Sequence, residues 1–282
     1  MEQENEWTTV IESRTKFFQL NIGEVIRYRD LIKMFVKRAF TLSYKQTILG
    51  PVWLLIKPVF AALMYTLVFS NIAHISTDGA PAMLFYMMGN AMWTYFASCL
   101  GSNAGTFTEN AGIFGKVYFP RLVTPISNVF VNLLNFGISM TITIIIGAVY
   151  MYRGENVNPN LALFLVPLLV VELGMLGMGC GIIVSSMTTK YRDLSVLVGF
   201  GMQLWMYATP VVYPVSQIPE KYQSFMMINP VAPIMETFRY AFLGTGHIPI
   251  LWLCISIAVT GVIFLFGILI FNQVERTFMD TV

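Results

Sequence analysis

The sequence predicts an all-α membrane protein with six transmembrane helices, an N-terminal amphipathic interfacial helix and a re-entrant helical pair before the last span. Three observations predict it. Charged residues are 11% of the 282 and hydrophobic residues 56%, whereas a soluble domain carries about 25% charge, so there is too little charge to coat a globule. Residues 58–77, 79–108, 122–152, 194–219 and 240–274 contain no Asp, Glu, Lys or Arg. The cations also crowd one end: eight of 17 (Arg14, Lys16, Arg27, Arg29, Lys33, Lys37, Arg38 and Lys45) fall before residue 46. The same figures exclude unfolded-polar, collagen-like and disulfide-scaffold chains. They also exclude a nucleic-acid binder, which needs a dense cationic surface.

Residues 1–50 read as an N-terminal region and 51–282 as the transmembrane domain. Between 24 and 45, Val25, Tyr28, Leu31, Phe35, Ala39 and Leu42 step by three and four, with Arg27, Asp30, Lys33, Lys37 and Thr41 opposite. That pattern predicts a cationic amphipathic helix. Its apolar side lies either on the cytoplasmic leaflet, with the cations at anionic headgroups, or on the protein's own loops. A bilayer core about 30 Å thick needs about 20 apolar helical residues. Six stretches qualify, at about 51–72, 82–104, 122–150, 161–186, 194–213 and 249–271, the fourth interrupted only by Glu172. With the N-terminus inside, fourteen Lys and Arg fall on the inner side and three on the outer, so both termini are expected in the cytoplasm. The acidic start predicts no cleaved signal peptide. Between 214 and 247, Pro214, Pro219, Pro230 and Pro233 leave pieces too short to cross. This stretch is either a re-entrant pair of short helices covered by protein, or a lipid-facing cap. Glu236 and Arg239, three apart, share a helix face and can pair there.

Site chemistry is sparse. Cys99, Cys180 and Cys254 sit in separate apolar runs without metal or redox spacing, and His74 and His247 stand apart from any clustered carboxylate. No metal site and no catalytic centre are expected. Gly115-Lys116 is followed by Val117 and has Asn110 five residues before the Gly, so it is not a phosphate-binding loop. The chain cannot itself cradle a triphosphate, so if transport here is driven by ATP another polypeptide must supply the hydrolysis, and no cofactor is expected in this one. Four features inside the spans remain. Glu172 must be paired, protonated or facing water, as a structural partner or a functional group. Gly174, Gly177, Gly179 and Gly181 permit close helix approach. Thr124, Asn128, Asn132, Asn135, Ser139 and Thr143 form one polar stripe, which serves either interhelical hydrogen bonding or a conduit lining. The deep aromatics Tyr65, Phe69, Trp93, Phe96, Trp205 and Tyr207 are either interfacial anchors or flat contacts for a passing amphipathic polymer.

Asn-Ala-Gly-Ile-Phe-Gly-Lys-Val-Tyr-Phe-Pro-Arg at 110–121 resembles the cytoplasmic loop signature of ABC-2 type permeases that export O-antigen, capsule and teichoic acid polysaccharides. Tyr44-Lys45-Gln46-Thr47 with Leu49-Gly50-Pro51-Val52-Trp53, Tyr191-Arg192-Asp193, Met206 through Pro214, Asn229-Pro230 and Glu236 through Gly244 match further family segments. The resemblance runs from about residue 25 to the C-terminus. It implies a non-catalytic permease subunit in the bacterial inner or plasma membrane, a homodimer with two nucleotide-binding ATPase subunits, moving a lipid-linked glycan outward and contacting membrane lipids but no nucleic acid. It further implies a coupling helix around Glu109, Asn110, Ile113, Phe114, Lys116 and Tyr118, and a conduit between subunits lined partly by aromatics. Many relatives carry an acidic residue where this chain has Asn135. From the residues alone, a stand-alone secondary transporter or channel is the alternative, and an integral membrane glycosyl or acyl transferase is a weaker one for want of a site.

Overall fold

The computed structural model describes residues 22–43, 45, 49–50, 52–117, 119–189, 191 and 193–281. Tyr118 of the expected coupling segment, and Tyr44, Gln46, Thr47, Pro51 and Arg192 of the matching motifs, lie outside them.

All regular structure in the described residues is helical: α1 (Ile22–Arg27), α2 (Arg29–Leu42), α3 (Val52–Tyr65, continued as a π-helix Thr66–Ile72), α4 (Ala82–Ala104), α5 (Thr106–Phe114), α6 (Val123–Tyr152), α7 (Val166–Thr188, preceded by a 3-10 turn Leu161–Leu165), α8 (Leu194–Tyr207), α9 (Glu220–Met227), α10 (Val231–Leu243) and α11 (Ile250–Thr281). Among the described residues, four stretches are long and apolar enough to cross a membrane: Val52–Ile72, Val123–Tyr152, Leu161–Thr188 and Ile250–Val274. The other two expected spans are different. α4 is 23 residues long but dilutes its apolar content with Gly, Asn, Ser and Thr, and most of it is buried in the subunit. α8 ends at Tyr207 rather than 213, 14 residues in all, or about 21 Å. After it, Thr209 turns its Oγ back to the Trp205 carbonyl at 2.7 Å, and Pro210 and Pro214 cannot continue the helix.

α4 and α7 form the centre. Small residues on α7 let them touch: a Cβ on Gly177 would stand 2.7 Å from that of Cys99, and one on Gly181 2.6 Å from that of Asn103. The pairings 177 with 99 and 181 with 103 make α4 and α7 parallel. Gly179, on the opposite side of α7, meets Phe264 of α11 with the same sense, 3.0 Å from its Cα. By contrast α6 is antiparallel to α4, since Asn132 lies at Ser102 and Gly147 at Leu84. α8 is antiparallel too, with Trp205 at Phe96 and Met202 at Gly101. From α4 onward the long helices therefore alternate in direction along the chain.

α2 packs on α6. Val25 is buried, and Tyr28, Leu31 and Phe35 cover Phe114, Phe119 and Val123, so this part of the apolar stripe packs on protein, while Ala39 and Leu42 at its end are exposed. At the opposite end, α10 is embedded rather than lipid-facing: Ile234, Phe238 and Ala241 are fully buried. It stops where Gly244 adopts a left-handed backbone, φ 73°, which glycine enters without steric cost. α9 is the exposed partner, with Phe225 and Tyr222 open.

Candidate functional site

At the α5 end, a nine-residue helix is suspended between two long ones. Phe107 anchors it, stacking on Phe271 of α11 with centroids 4.5 Å apart while its backbone N–H donates to Ser185 Oγ of α7 at 3.2 Å. Phe114 is buried between Phe107 and Phe119, with the Arg121 guanidinium 5.4 Å above its ring. Of the residues expected to couple, Glu109 and Lys116 are exposed, while Asn110 and Ile113 are half-buried and Phe114 faces inward. α5 thus has an aromatic root in α7 and α11 and a charged outer rim.

The aromatic residues form two groups along α4. Tyr65 and Phe69 gather around Tyr86, at 6.3 and 6.2 Å. Trp93 and Trp205 sandwich Phe96, at 5.5 and 5.0 Å. Phe96 is fully buried and Trp93 nearly so, whereas Tyr207 is 68% exposed.

The α9–α10 end is held by polar groups. Arg239, 2% exposed, donates Nη1–H to the Pro210 carbonyl at 2.6 Å and Nη2–H to that of Val211 at 2.5 Å, with its guanidinium 3.8 Å over Phe85. It does not form the anticipated contact pair with Glu236. The ion pair found within 4 Å among the described residues is Lys33–Asp30 on α2. These two carbonyls of a proline-broken turn outcompete a carboxylate on the same helix face, because they have no helical donor. Glu236 instead lies against the backbone of Gly246. Asn229 is a second tie: its Oδ1 accepts from Trp205 Nε1 at 3.0 Å, and its Nδ2 donates to Thr209 Oγ at 2.8 Å and the Ala208 carbonyl at 3.1 Å. Glu172 is the third. The Ser256 hydroxyl of α11 lies 2.6 Å from Glu172 Oε1 and 2.8 Å from the Pro230 carbonyl, joining α7, α11 and the start of α10. Sequence reasoning missed Ser256, a small residue in a charge-free run. It quoted Asn229 only as part of a motif.

Two of the six residues in the polar stripe of α6 tie it to α4: Asn128 donates to the Ser102 carbonyl at 3.0 Å and Asn132 to Ser102 Oγ at 3.0 Å. Thr143 bonds within its own helix, and Thr124 Oγ1 and Asn135 Oδ1 are buried without a partner.

Long apolar helices of alternating direction, packed through glycine contacts around a centre poor in charge, define a multi-pass helical membrane protein. The profile of the ABC-2 type transporter family matches residues 30–243. The chain belongs to that family. It is similar to the O-antigen export system permease protein RfbA of Klebsiella pneumoniae, 30% identical over 257 residues that cover 89% of this chain and 94% of the relative. The RfbA permease of Myxococcus xanthus is 28% identical over 223 residues, 78% of this chain and 83% of that one. The polysialic acid transport protein KpsM of Escherichia coli is 23% identical over 196 residues, 68% and 73% respectively.

Proposed function

We propose that this chain is the membrane-spanning subunit of an ATP-driven exporter that carries a lipid-linked polysaccharide, O-antigen first and capsule or teichoic acid next, from the inner to the outer face of a bacterial inner or plasma membrane. What carries the proposal is the likeness to O-antigen export permeases over nearly their whole length. The alternating helix directions support six crossings with both termini in the cytoplasm, α4 as the second and α8, completed by the segment after it, as the fifth. The excess of cations at the N-terminal end gives the same orientation. α9 and α10, of 8 and 13 residues, are then the re-entrant pair, both too short to cross, with α10 covered by protein as a broken helix at membrane depth must be and α9 lying at its outer side.

In this reading two copies of the subunit form the conduit. Two separate ATPase subunits, holding ATP and Mg, press on the rim of α5 at Glu109, Asn110, Ile113 and Lys116. The stacked Phe107 and Phe271, and the bond from Phe107 to Ser185, pass that displacement to α11 and α7. Only contacts that differ between the two nucleotide states can shift the equilibrium. Exposed Tyr207 and half-buried Trp205, Tyr65 and Phe69 offer flat faces along which sugar rings slide with little hydrogen-bond specificity.

Reconstitution with and without an ATPase carrying a phosphate-binding loop tests this. Lipid-linked glycan should appear on the far side of the vesicles only when both proteins and ATP are present. Transport by the chain alone would sink the proposal in favour of a stand-alone transporter.

A further inference from the structure

A cavity of about 400 Å³ lies between α3, α4 and α6, inside the range of about 300–1,000 Å³ typical of small-molecule sites. Polarity is unexpected there. Its wall carries the amides and hydroxyls of Asn90, Thr94, Ser98, Asn132, Asn135 and Ser139, all from the middle of two long helices. Asn90, Thr94 and Ser98 recur every four residues and so share one face of α4. The cluster of Trp93, Phe96 and Trp205 occupies another face, so this cavity is separate from the aromatic path.

One acceptor on the wall lacks a donor, and a second loses its ordinary helical one. Asn135 Oδ1 is buried without a partner. Pro58, having no N–H, leaves the Leu54 carbonyl without its helical donor, and both residues line the cavity. Buried acceptors of this kind are met by water or by a ligand's hydroxyl groups. Trp53 and Tyr95 add flat aromatic surface, and Lys57 is the cation among the lining residues. Lys57 stands five residues into α3, about 8 Å from its start, at the depth of inner-leaflet headgroups in the proposed orientation. Amides and hydroxyls beside aromatic plates suit a sugar ring, and an ammonium beside them suits a phosphate.

We propose that this cavity binds the phosphorylated first sugar of a membrane-anchored glycan. The proposal rests on the export reading above and gives the cargo a docking place on each subunit before it enters the conduit. Sugar hydroxyls donate to Asn135 Oδ1 and the Leu54 carbonyl, the ring lies against Trp53, Lys57 meets the phosphate, and the lipid tail leaves into the bilayer. A phosphatidylglycerol headgroup shares the phosphate but brings only a short glycerol, with no ring to lie on Trp53, to the six polar side chains.

Native mass spectrometry of the full-length chain in nanodiscs tests it with three probes: a polyprenyl diphosphate carrying one N-acetylhexosamine, the same polyprenyl diphosphate without sugar, and phosphatidylglycerol. The sugar-bearing probe should bind at least about tenfold tighter than the sugar-free one. Asn135→Leu should erase that gap, and Lys57→Gln should weaken both polyprenyl probes. Should Asn135→Leu fail to fold, Thr94→Val and Ser98→Ala remove hydroxyls without adding bulk and should narrow the gap. Equal binding of the two polyprenyl probes, equal binding of phosphatidylglycerol, or a gap untouched by every wall variant would each overturn the proposal. ATP-driven transport by the same variants with their partner ATPase separates the two readings. Normal transport without sugar-dependent binding removes the cavity alone, whereas no transport by the wild-type complex removes the export reading itself.

Discussion

The two ends of the molecule are held together by different physics. At the α5 end the ties are aromatic: Phe107, Phe114, Phe119 and Phe271 pack edge and face with Arg121 above them. At the α9–α10 end the ties are directional hydrogen bonds from Arg239, Asn229 and Ser256 to backbone carbonyls and buried polar atoms. Aromatic packing loses little when a ring slides by a few tenths of an ångström, whereas a charged hydrogen bond falls off steeply with distance and angle. The difference suits a helix that receives a push at one end and a turn that must keep its shape at the other.

Arg239→Met attacks the directional end where the loss is greatest. It frees the Pro210 and Val211 carbonyls at the cost of two charge-assisted bonds, each of about 1.5–3 kcal/mol. The thermal midpoint of the detergent-purified protein should fall as for a loss of about 3–5 kcal/mol. Arg239→Lys should recover only part of it, since one ammonium cannot reproduce the planar fork. Next comes Phe107→Ala at the other end, which removes a fully buried ring at about 3 kcal/mol. It should lower the midpoint less than Arg239→Met and, among molecules that fold, disconnect ATP hydrolysis from transport. If Phe107→Ala left coupling intact, the aromatic root would not be the transmitting contact.

Asn229→Ala is expected to cost about 2 kcal/mol, because four side-chain bonds vanish but half-buried Trp205 and exposed Ala208 remain within reach of water. The comparison sharpens at Glu172. A single Ser256 hydrogen stands between two acceptors, Glu172 Oε1 and the Pro230 carbonyl. Glu172→Gln supplies a donor in the same shape, so Ser256 can serve Pro230 while accepting from Gln. The midpoint should move by less than about 1 kcal/mol, whereas Glu172→Leu should cost more, because it removes the bond between α7 and α11 and leaves Ser256 the Pro230 carbonyl alone. Equal losses for Gln and Leu would show that the carboxylate itself is required.

Run length and charge distribution made the long helices legible, because a bilayer tolerates few other sequences of that kind. The four strongest spans begin within two residues of expectation, and α11 runs well past 271. The limits appear where partners are backbone atoms. The Glu236 and Arg239 spacing suggested a pair, yet Arg239 turns to carbonyls that carry no side-chain signature. The end of α8 was misplaced by six residues because a charge-free run continues through Pro210. Ser256 had no signal, being one small residue among many. On α6 the six residues of the polar stripe lie buried or half-buried, but the sequence did not separate the satisfied Asn128 and Asn132 from the unpartnered Thr124 and Asn135.

Lys116→Glu is the smallest expected perturbation of the fold and the sharpest probe of the α5 rim. Its side chain is exposed, so the midpoint should stay within about 0.5 kcal/mol of wild type. If the rim is the surface on which the ATPase bears, reversing this charge weakens complex formation at low salt and less so as ionic strength rises and screens it. Glu109→Lys should do the same through the other exposed charge. Pull-down with the ATPase across a salt series reads both at once. Undiminished binding and transport in the two variants would move the input away from α5 and leave the aromatic end as packing alone.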